Sequence, residues 1–549
     1  MSIPRLVPET FPTSVSAREE GIPLSSCPSC AAASLRVKGL ESRIEELEAL
    51  NRRLNQDLYG KKSEKGGGGE APAPEPFPPS PARRRGHQKG HPSVGRKSRP
   101  ELPAVHVEVD LPPDGKVCPG CSLPFVAFPG EETKETIEID VRAYRRLYHR
   151  KRYRKTCSCP GPPGIVTAPA PASLIPKGLL GISVFVEILV GKYAFHTPLG
   201  RILAFWEQSG LVLSPGTVDS ALVRIACLFL PLYEALLARS RTASLSHADE
   251  TRFQVFEEIE GKESDRWWLW CFLTVDAVVF VLDPTRSASV PKTHFKDFKG
   301  FLIVDRYAAY KATAGVEPGL VLCFCWAHAR RDFVKARARH PDRSEWADSW
   351  KSLIARLYRA NAHRLVALEE DSGRPRSSLD APLLEVQDEM NARARREIGE
   401  DRLPPGCRAA LQSLLSHWKG LTVFADFPQV PMDNNIAERA QRGVAVGRKV
   451  FYGAGSLVSG HMAAHLYSLF GTWSNAGLNL RTTLTDYLNF CVDNGLHPPD
   501  PADSDKVDAF GERLRTIDPS PWLPWKMDPE RKQLLARPLP GASPFADTG

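Results

Sequence analysis

No secretion signal opens the chain: MSIPRLVPETFPTS has no apolar core. No bilayer-spanning segment stands out either, because the most apolar run, Gly178–Gly191, contains Glu187 and is too short. These absences point to a soluble, cytosolic protein with no span across a membrane. In that reducing compartment the twelve cysteines do not make a disulfide framework, and closely paired ones read as metal ligands. Acid is locally missing as well. Arg83–Arg99 holds seven Arg or Lys and no Asp or Glu, and Val141–Lys155 holds eight and none. On a chain of net charge only +8, such clusters indicate a polyanionic partner, nucleic acid before an acidic membrane surface.

What is present divides the chain into several domains of a multidomain α/β protein. Residues 1–36 show no periodicity and read as a tail carrying the pair Cys27 and Cys30, which has no evident second half. Over 37–59, Leu40, Leu47 and Leu54 fall seven apart, as do Ile44, Asn51 and Leu58. Leucine at d with an asparagine among the a positions predicts a parallel two-stranded coiled coil and hence a homodimer or higher assembly. The other reading is a single amphipathic helix packed on its own protein. Residues 60–100 are a Gly- and Pro-rich basic linker that cannot bury a core.

Over 101–160, Cys118 and Cys121 form a CxxC, and Cys157 and Cys159 a CxC, on either side of strand-like sequence. Two such knuckles can close one tetrahedral structural zinc site. The neighbouring Arg145, Arg146, Arg150, Lys151 and Arg152, interleaved with tyrosines, are candidate DNA contacts. Residues 174–240 read as helices. Thr197 caps one, Gly210 stops it and Ser214 caps the next, a helix-turn-helix-like spacing shared with ordinary bundles.

Residues 243–460 carry the acids that matter for chemistry. Three strands, a short helix and a fourth strand run from Ser244 to Asp305. This order matches the start of a ribonuclease H-like core, in which the first and fourth strands lie side by side. Asp249 in the first strand and Asp305 at the end of the fourth would then meet and need a divalent cation between them. A third carboxylate is Glu438, on a helix that Asp433 or Asn434 could cap. Its basic neighbours Arg439, Arg442, Arg448 and Lys449 suit phosphates, with Arg330 and Arg331 as weaker candidates. The long gap between Asp305 and Glu438 implies a helical insertion at about 330–420. Singly, Asp249 reads equally as an edge charge, Asp305 as a turn residue and Glu438 as part of a salt-bridged surface. The order of all three on the right elements favours a shared metal site. Residues 461–500 form a C-terminal helical segment and 501–549 a Pro-rich tail.

The strings HADETRF, VDRYAAY, CWAHARRDF, MDNNIAERAQRGVAVGRK and FYGAGSLVSGHMAAHLYSLFGTW resemble the insertion-sequence-66-type transposases of the DDE class, over roughly residues 37–500. The resemblance implies Asp249, Asp305 and Glu438 as a catalytic triad holding two Mg2+ (or Mn2+) ions, and one structural Zn2+ on the four cysteines. It implies a structural role for Cys325 and His328 of CWAH. It further implies double-stranded DNA as partner, in the form of terminal inverted repeats and target, and accessory proteins encoded by the element. The expected activity is strand cleavage and strand transfer by a cytoplasmic, nucleoid-associated enzyme. The alternative is a catalytically inert DNA-binding regulator derived from one.

Overall fold

Aromatic and β-branched residues are densest between Leu245 and Phe324, and there the computed structural model of the chain places a five-stranded sheet. The structure describes residues 143–154, 156, 165–262, 264–370, 375–500 and 503–538, with isolated positions at 43, 116, 119–121, 123 and 124. The coiled coil of 37–59, the linker of 60–100, the pair Cys27 and Cys30, and the zinc candidates Cys118, Cys157 and Cys159 fall outside the described residues. Cys121 is described and exposed. Two compact units divide the chain: residues 71–327 with 417–549, and residues 1–70 with 328–416.

In the first unit, β1 (Arg152–Arg154) and β2 (Ile165–Thr167) make a short antiparallel ribbon, tightened by Ala168 N donating to the Lys151 carbonyl at 2.9 Å. Helices α1 (Ile182–Tyr193), α2 (Leu199–Gln208), α3 (Pro215–Ile225) and α4 (Leu230–Arg241) follow. Pro198, rather than Thr197, stands at the N-cap of α2, because the proline ring sets the entry to the helix and supplies no N–H that a threonine need satisfy. Gly210 takes φ +81° in the turn, and Ser214 precedes α3. Pro215–Arg241 is long and apolar enough to cross a membrane, yet Leu222, Ile225, Phe229, Leu232 and Leu236 are buried in the core.

The sheet comprises β3 (Leu245–Gln254), β4 (Arg266–Leu273), β5 (Val278–Asp283), β6 (Gly300–Val304) and β7 (Leu320–Phe324), in the order β5-β4-β3-β6-β7. The β3–β4 and β4–β5 pairs are antiparallel; β3–β6 and β6–β7 are parallel. Short helices α5 (Ser289–His294) and α6 (Ala308–Ala314) connect the later strands. Strands β4 and β6 are buried along nearly their whole length, as expected of strands covered on both faces.

After β7 comes α7 (Trp326–Arg339), then α8 (Ser344–Glu369), α9 (Arg376–Glu397) and α10 (Pro405–Ser416). From His328 to Ser416 they make the described part of the second unit, which is helical. Its core holds Phe333, Trp350, Ile354, Leu357, Leu383, Met390 and Leu411. Two buried ion pairs stiffen it. Arg364 meets Asp380 at 2.5 Å, and Glu397 accepts from Trp346 Nε1 and Trp350 Nε1 at 2.8 Å each and from Arg393 Nε at 2.5 Å.

The chain returns to the first unit with α11 (Asn435–Phe451), α12 (Leu457–Asn475) and α13 (Leu480–Asp493). Helix α12 seals the outer edge of the sheet: the β5 amides of Val278 and Phe280 donate to Thr472 Oγ1 at 2.9 Å and Ser468 Oγ at 2.7 Å. An edge strand is thereby closed to pairing with another chain. Between α11 and α12, Gly453 is obligatory, because a Cβ there would lie 2.2 Å from the Gln254 carbonyl oxygen. The segment read as a Pro-rich tail folds over 503–538 into α14 (Ser504–Arg515) and α15 (Pro529–Ala536). Trp522 and Leu535 are buried, and Trp473 Nε1 donates to the Trp522 carbonyl at 2.9 Å. Pro521 and Pro529 sit in first turns, where a missing N–H costs nothing. The whole is a mixed α/β protein with a mixed sheet and many helices.

Candidate active site

Strand register places the first two acids. His247 on β3 lies opposite Ile303 on β6 in the parallel pairing. Two residues further on, Asp249 comes abreast of Asp305, the residue immediately after the end of β6. The turn there is closed by Tyr307 N donating to Asp305 Oδ1 at 2.8 Å, and Asp249 Oδ1 accepts from Glu250 N at 3.0 Å. Glu438 arrives from the first turn of α11, which packs across β3 and β4.

Electrostatics report the convergence. The Asp249 carboxyl is pushed up to about 7, first by burial, then by the negative charge of Glu250, with Asp305 and Glu438 adding to it; the Glu250 amide pulls the other way. Like charges this near each other disfavour full ionisation unless a cation is supplied. Asp249 and Asp305, side by side at the ends of β3 and β6, offer the hard oxygen donors that Mg2+ and Mn2+ prefer, and the Glu438 charge is felt at Asp249, so the residues fit such an ion.

Glu250, next to Asp249 in sequence, has a different surrounding. Tyr310 donates its hydroxyl to Glu250 Oε2 at 2.6 Å, and Arg286 donates Nε at 2.9 Å, and Nη2 as well, to Oε1. The Arg286 guanidinium lies 3.9 Å from the Tyr307 ring centre and 4.9 Å from that of Trp268. Burial raises the Glu250 carboxyl while these donors lower it. Sequence reasoning missed Glu250, Arg286, Tyr307 and Tyr310. Three of these stand within HADETRF and VDRYAAY, so the strings held the signal; Arg286, on a loop after β5, had none.

Asn434 is also more than a helix-capping residue. It occupies the N-cap of α11 without a side-chain capping bond. Its side chain, only 1% exposed, instead accepts from His247 Nδ1 at 2.9 Å and donates Nδ2 to the Ala248 carbonyl at 2.8 Å. Its backbone N–H donates to Cys325 Sγ at 3.2 Å, and Asp433 Oδ1 takes the Asn435 N–H at 3.1 Å.

The basic candidates separate. Arg439, Arg442 and Lys449 are exposed along one stripe of α11. Arg448 turns inward, donating to the Arg252 carbonyl at 2.8 Å, and so ties α11 to β3. Arg145, Arg146, Arg150, Lys151 and Arg152 are all exposed, with Arg150 Nε bonded to the Ala168 carbonyl at 2.7 Å. Cys325 is fully buried after β7, and His328 Nε2 takes a bond from Arg331 at 3.0 Å.

Comparison with known proteins bears on this arrangement. The model of the Transposase IS66 family matches residues 177–462. The uncharacterized protein y4jD of Sinorhizobium fredii is 30% identical over 425 residues, covering 74% of this chain and 80% of that protein. The uncharacterized protein y4hP of the same organism is 24% identical over 431 residues, covering 73% and 74%. Among solved structures, the Drosophila P element transposase strand transfer complex matches at 11% identity over 64% of this chain and 92% of that chain; its TM-score of 0.19 carries no weight for the fold.

Proposed function

The chain belongs to the transposase IS66 family, and we propose that it is a DDE-type enzyme that cleaves DNA at the ends of its insertion sequence and joins them to target DNA. The observation that supports this reading is the parallel register that sets Asp249 beside Asp305 at the ends of the inner strands β3 and β6, with the charge of Glu438 adding to that of Asp305 on Asp249. Three antiparallel strands followed by two parallel ones, with the acids on the first strand, after the fourth and on a later helix, support a ribonuclease H-like core.

Two divalent cations, Mg2+ or Mn2+, would supply Lewis-acid polarisation of a scissile phosphate and lower the pKa of the attacking water or 3′-hydroxyl. Asp249, Asp305 and Glu438 would hold these ions. The chain's own residues do the rest. The Tyr307 amide orients Asp305, and the Glu250 amide orients Asp249. Arg439, Arg442 and Lys449 line DNA phosphates along the exposed stripe of α11. The basic run at 145–152 grips backbone beside the zinc site of Cys118, Cys121, Cys157 and Cys159, and the helices of 174–240 read the terminal repeats. The coiled coil of 37–59 pairs two protomers on two ends, with the 330–420 insertion interrupting the catalytic domain. Cys325 and His328 serve structure, and accessory proteins of the element assist in the cytoplasm at the nucleoid.

The test is nicking of a DNA fragment that carries the inverted repeats flanking the coding region, in Mg2+ or Mn2+. The wild type cuts and Asp305→Asn does not, while both bind the fragment. Equal cutting by the two removes the site. Binding without cutting by either replaces the enzyme with an inert DNA-binding regulator.

A further inference from the structure

Three carboxylates repel one another, so something other than charge must bring their carriers together before a cation arrives. One buried residue touches two of the carriers directly and reaches the third through Cys325. The Asn434 amide donates to the carbonyl of Ala248, directly before Asp249. Its backbone N–H reaches Cys325 Sγ, and the Cys325 N–H in turn donates at 3.0 Å to the carbonyl of Val304, directly before Asp305. Its own carbonyl accepts the N–H of Glu438 at 3.2 Å. Next to it, Trp326 N donates to the Met432 carbonyl at 2.9 Å, a second tie between the same two segments.

We propose that Asn434 is a positioning residue that sets the spacing of Asp249, Asp305 and Glu438 and so preassembles the cation pocket; this rests on the metal-dependent reading above. Its chemistry fits the task better than that of any ordinary cap. Serine, threonine and aspartate are good helix caps because one oxygen suffices. Here the side chain must accept from His247 Nδ1–H and donate to the Ala248 carbonyl at once. Among short side chains only the asparagine amide offers a donor and an acceptor in that fixed fork. Serine, a good N-cap, would suit the start of α11 and lose the span to β3. Residues that orient metal ligands from behind commonly change metal affinity by about 10–100-fold when removed.

The experiment uses the full chain and Mn2+ alone, with free Mn2+ followed by electron paramagnetic resonance and no DNA present. Wild type binds Mn2+, and Asp305→Asn loses that binding. Asn434→Ser weakens it by about tenfold or more, measured well below a thermal midpoint that falls modestly with the two lost buried bonds, with affinity for the terminal-repeat fragment close to wild type. In nicking assays the same variant needs about tenfold more Mn2+ for half-maximal rate and recovers most of its rate at saturating metal. Asn434→Ala, with no polar side-chain group at all, shows the same metal defect with a lower midpoint; should it fail to fold, Asn434→Ser decides alone. Wild-type Mn2+ affinity in Asn434→Ser overturns the proposal. If instead wild type binds no more Mn2+ than Asp305→Asn, the metal site itself is wrong, and the positioning role falls with it for that separate reason.

Discussion

The helical unit and the sheet unit both take carboxylates out of water, and they treat them in opposite ways. Glu397, in the helical unit, is surrounded by donors: two indole N–H groups and a guanidinium that also lies 4.7 Å from the Trp350 ring centre. Asp249, in the sheet unit, accepts one backbone N–H and faces other carboxylates. Glu250, one residue later, is satisfied like Glu397. The contrast separates acids ringed by donors from an acid that faces other acids. Depth of burial does not tell these acids apart; what surrounds them does.

The comparison breaks most visibly if Glu397 is dispensable. Glu397→Ala strands two indole donors and Arg393, and is expected to cost about 3 kcal/mol in urea unfolding. Asp305→Asn, which removes a repelling charge, should cost nothing measurable by the same assay. Equal losses in the two variants would erase the distinction.

A buried base sharpens it next. His465 on α12 stacks 4.0 Å from the Tyr233 ring centre and is held down to about 3 by burial and by the positive charge of His461. Unfolded, it would bind its proton near 6.5, so the unfolded chain gains protons first as pH falls. Stability is full above about 6.5 and declines toward 3, by about 2 kcal/mol between pH 6.5 and 5 from this group alone. His465→Phe should flatten that decline in melting midpoint against pH. An unchanged slope would mean the imidazole is reached by water.

The smallest effect lies on the surface. Arg442→Ala should leave stability within about 0.5 kcal/mol. It should lower the slope of log affinity against log salt for double-stranded DNA by about 0.9. Arg448→Ala, by contrast, should lower stability through the lost bond to Arg252 by about 1 kcal/mol. Swapped outcomes would reverse which arginine faces DNA.

Much of this was open to reading in one dimension. Period-two and apolar runs mark β3 to β6, and glycine and proline mark the breaks among α1 to α3, because those preferences act over a few residues; β7 and the break before α4 went unread. The long strings around Asp249, Asp305 and Glu438 are enough to place the chain in its family. What those strings leave open is direction. Nothing in MDNN tells that Asn434 points away from its own helix toward His247, and nothing in GRK tells that Arg448 turns inward while Lys449 faces out. Nor does a serine and threonine four apart on α12 announce that they finish the edge of a sheet nearly two hundred residues earlier. Propensity and spacing are local and survive in any fold. The partner of a buried polar group is set by which distant backbone atoms packing leaves unsatisfied beside it, and that becomes known when the chain has closed on itself.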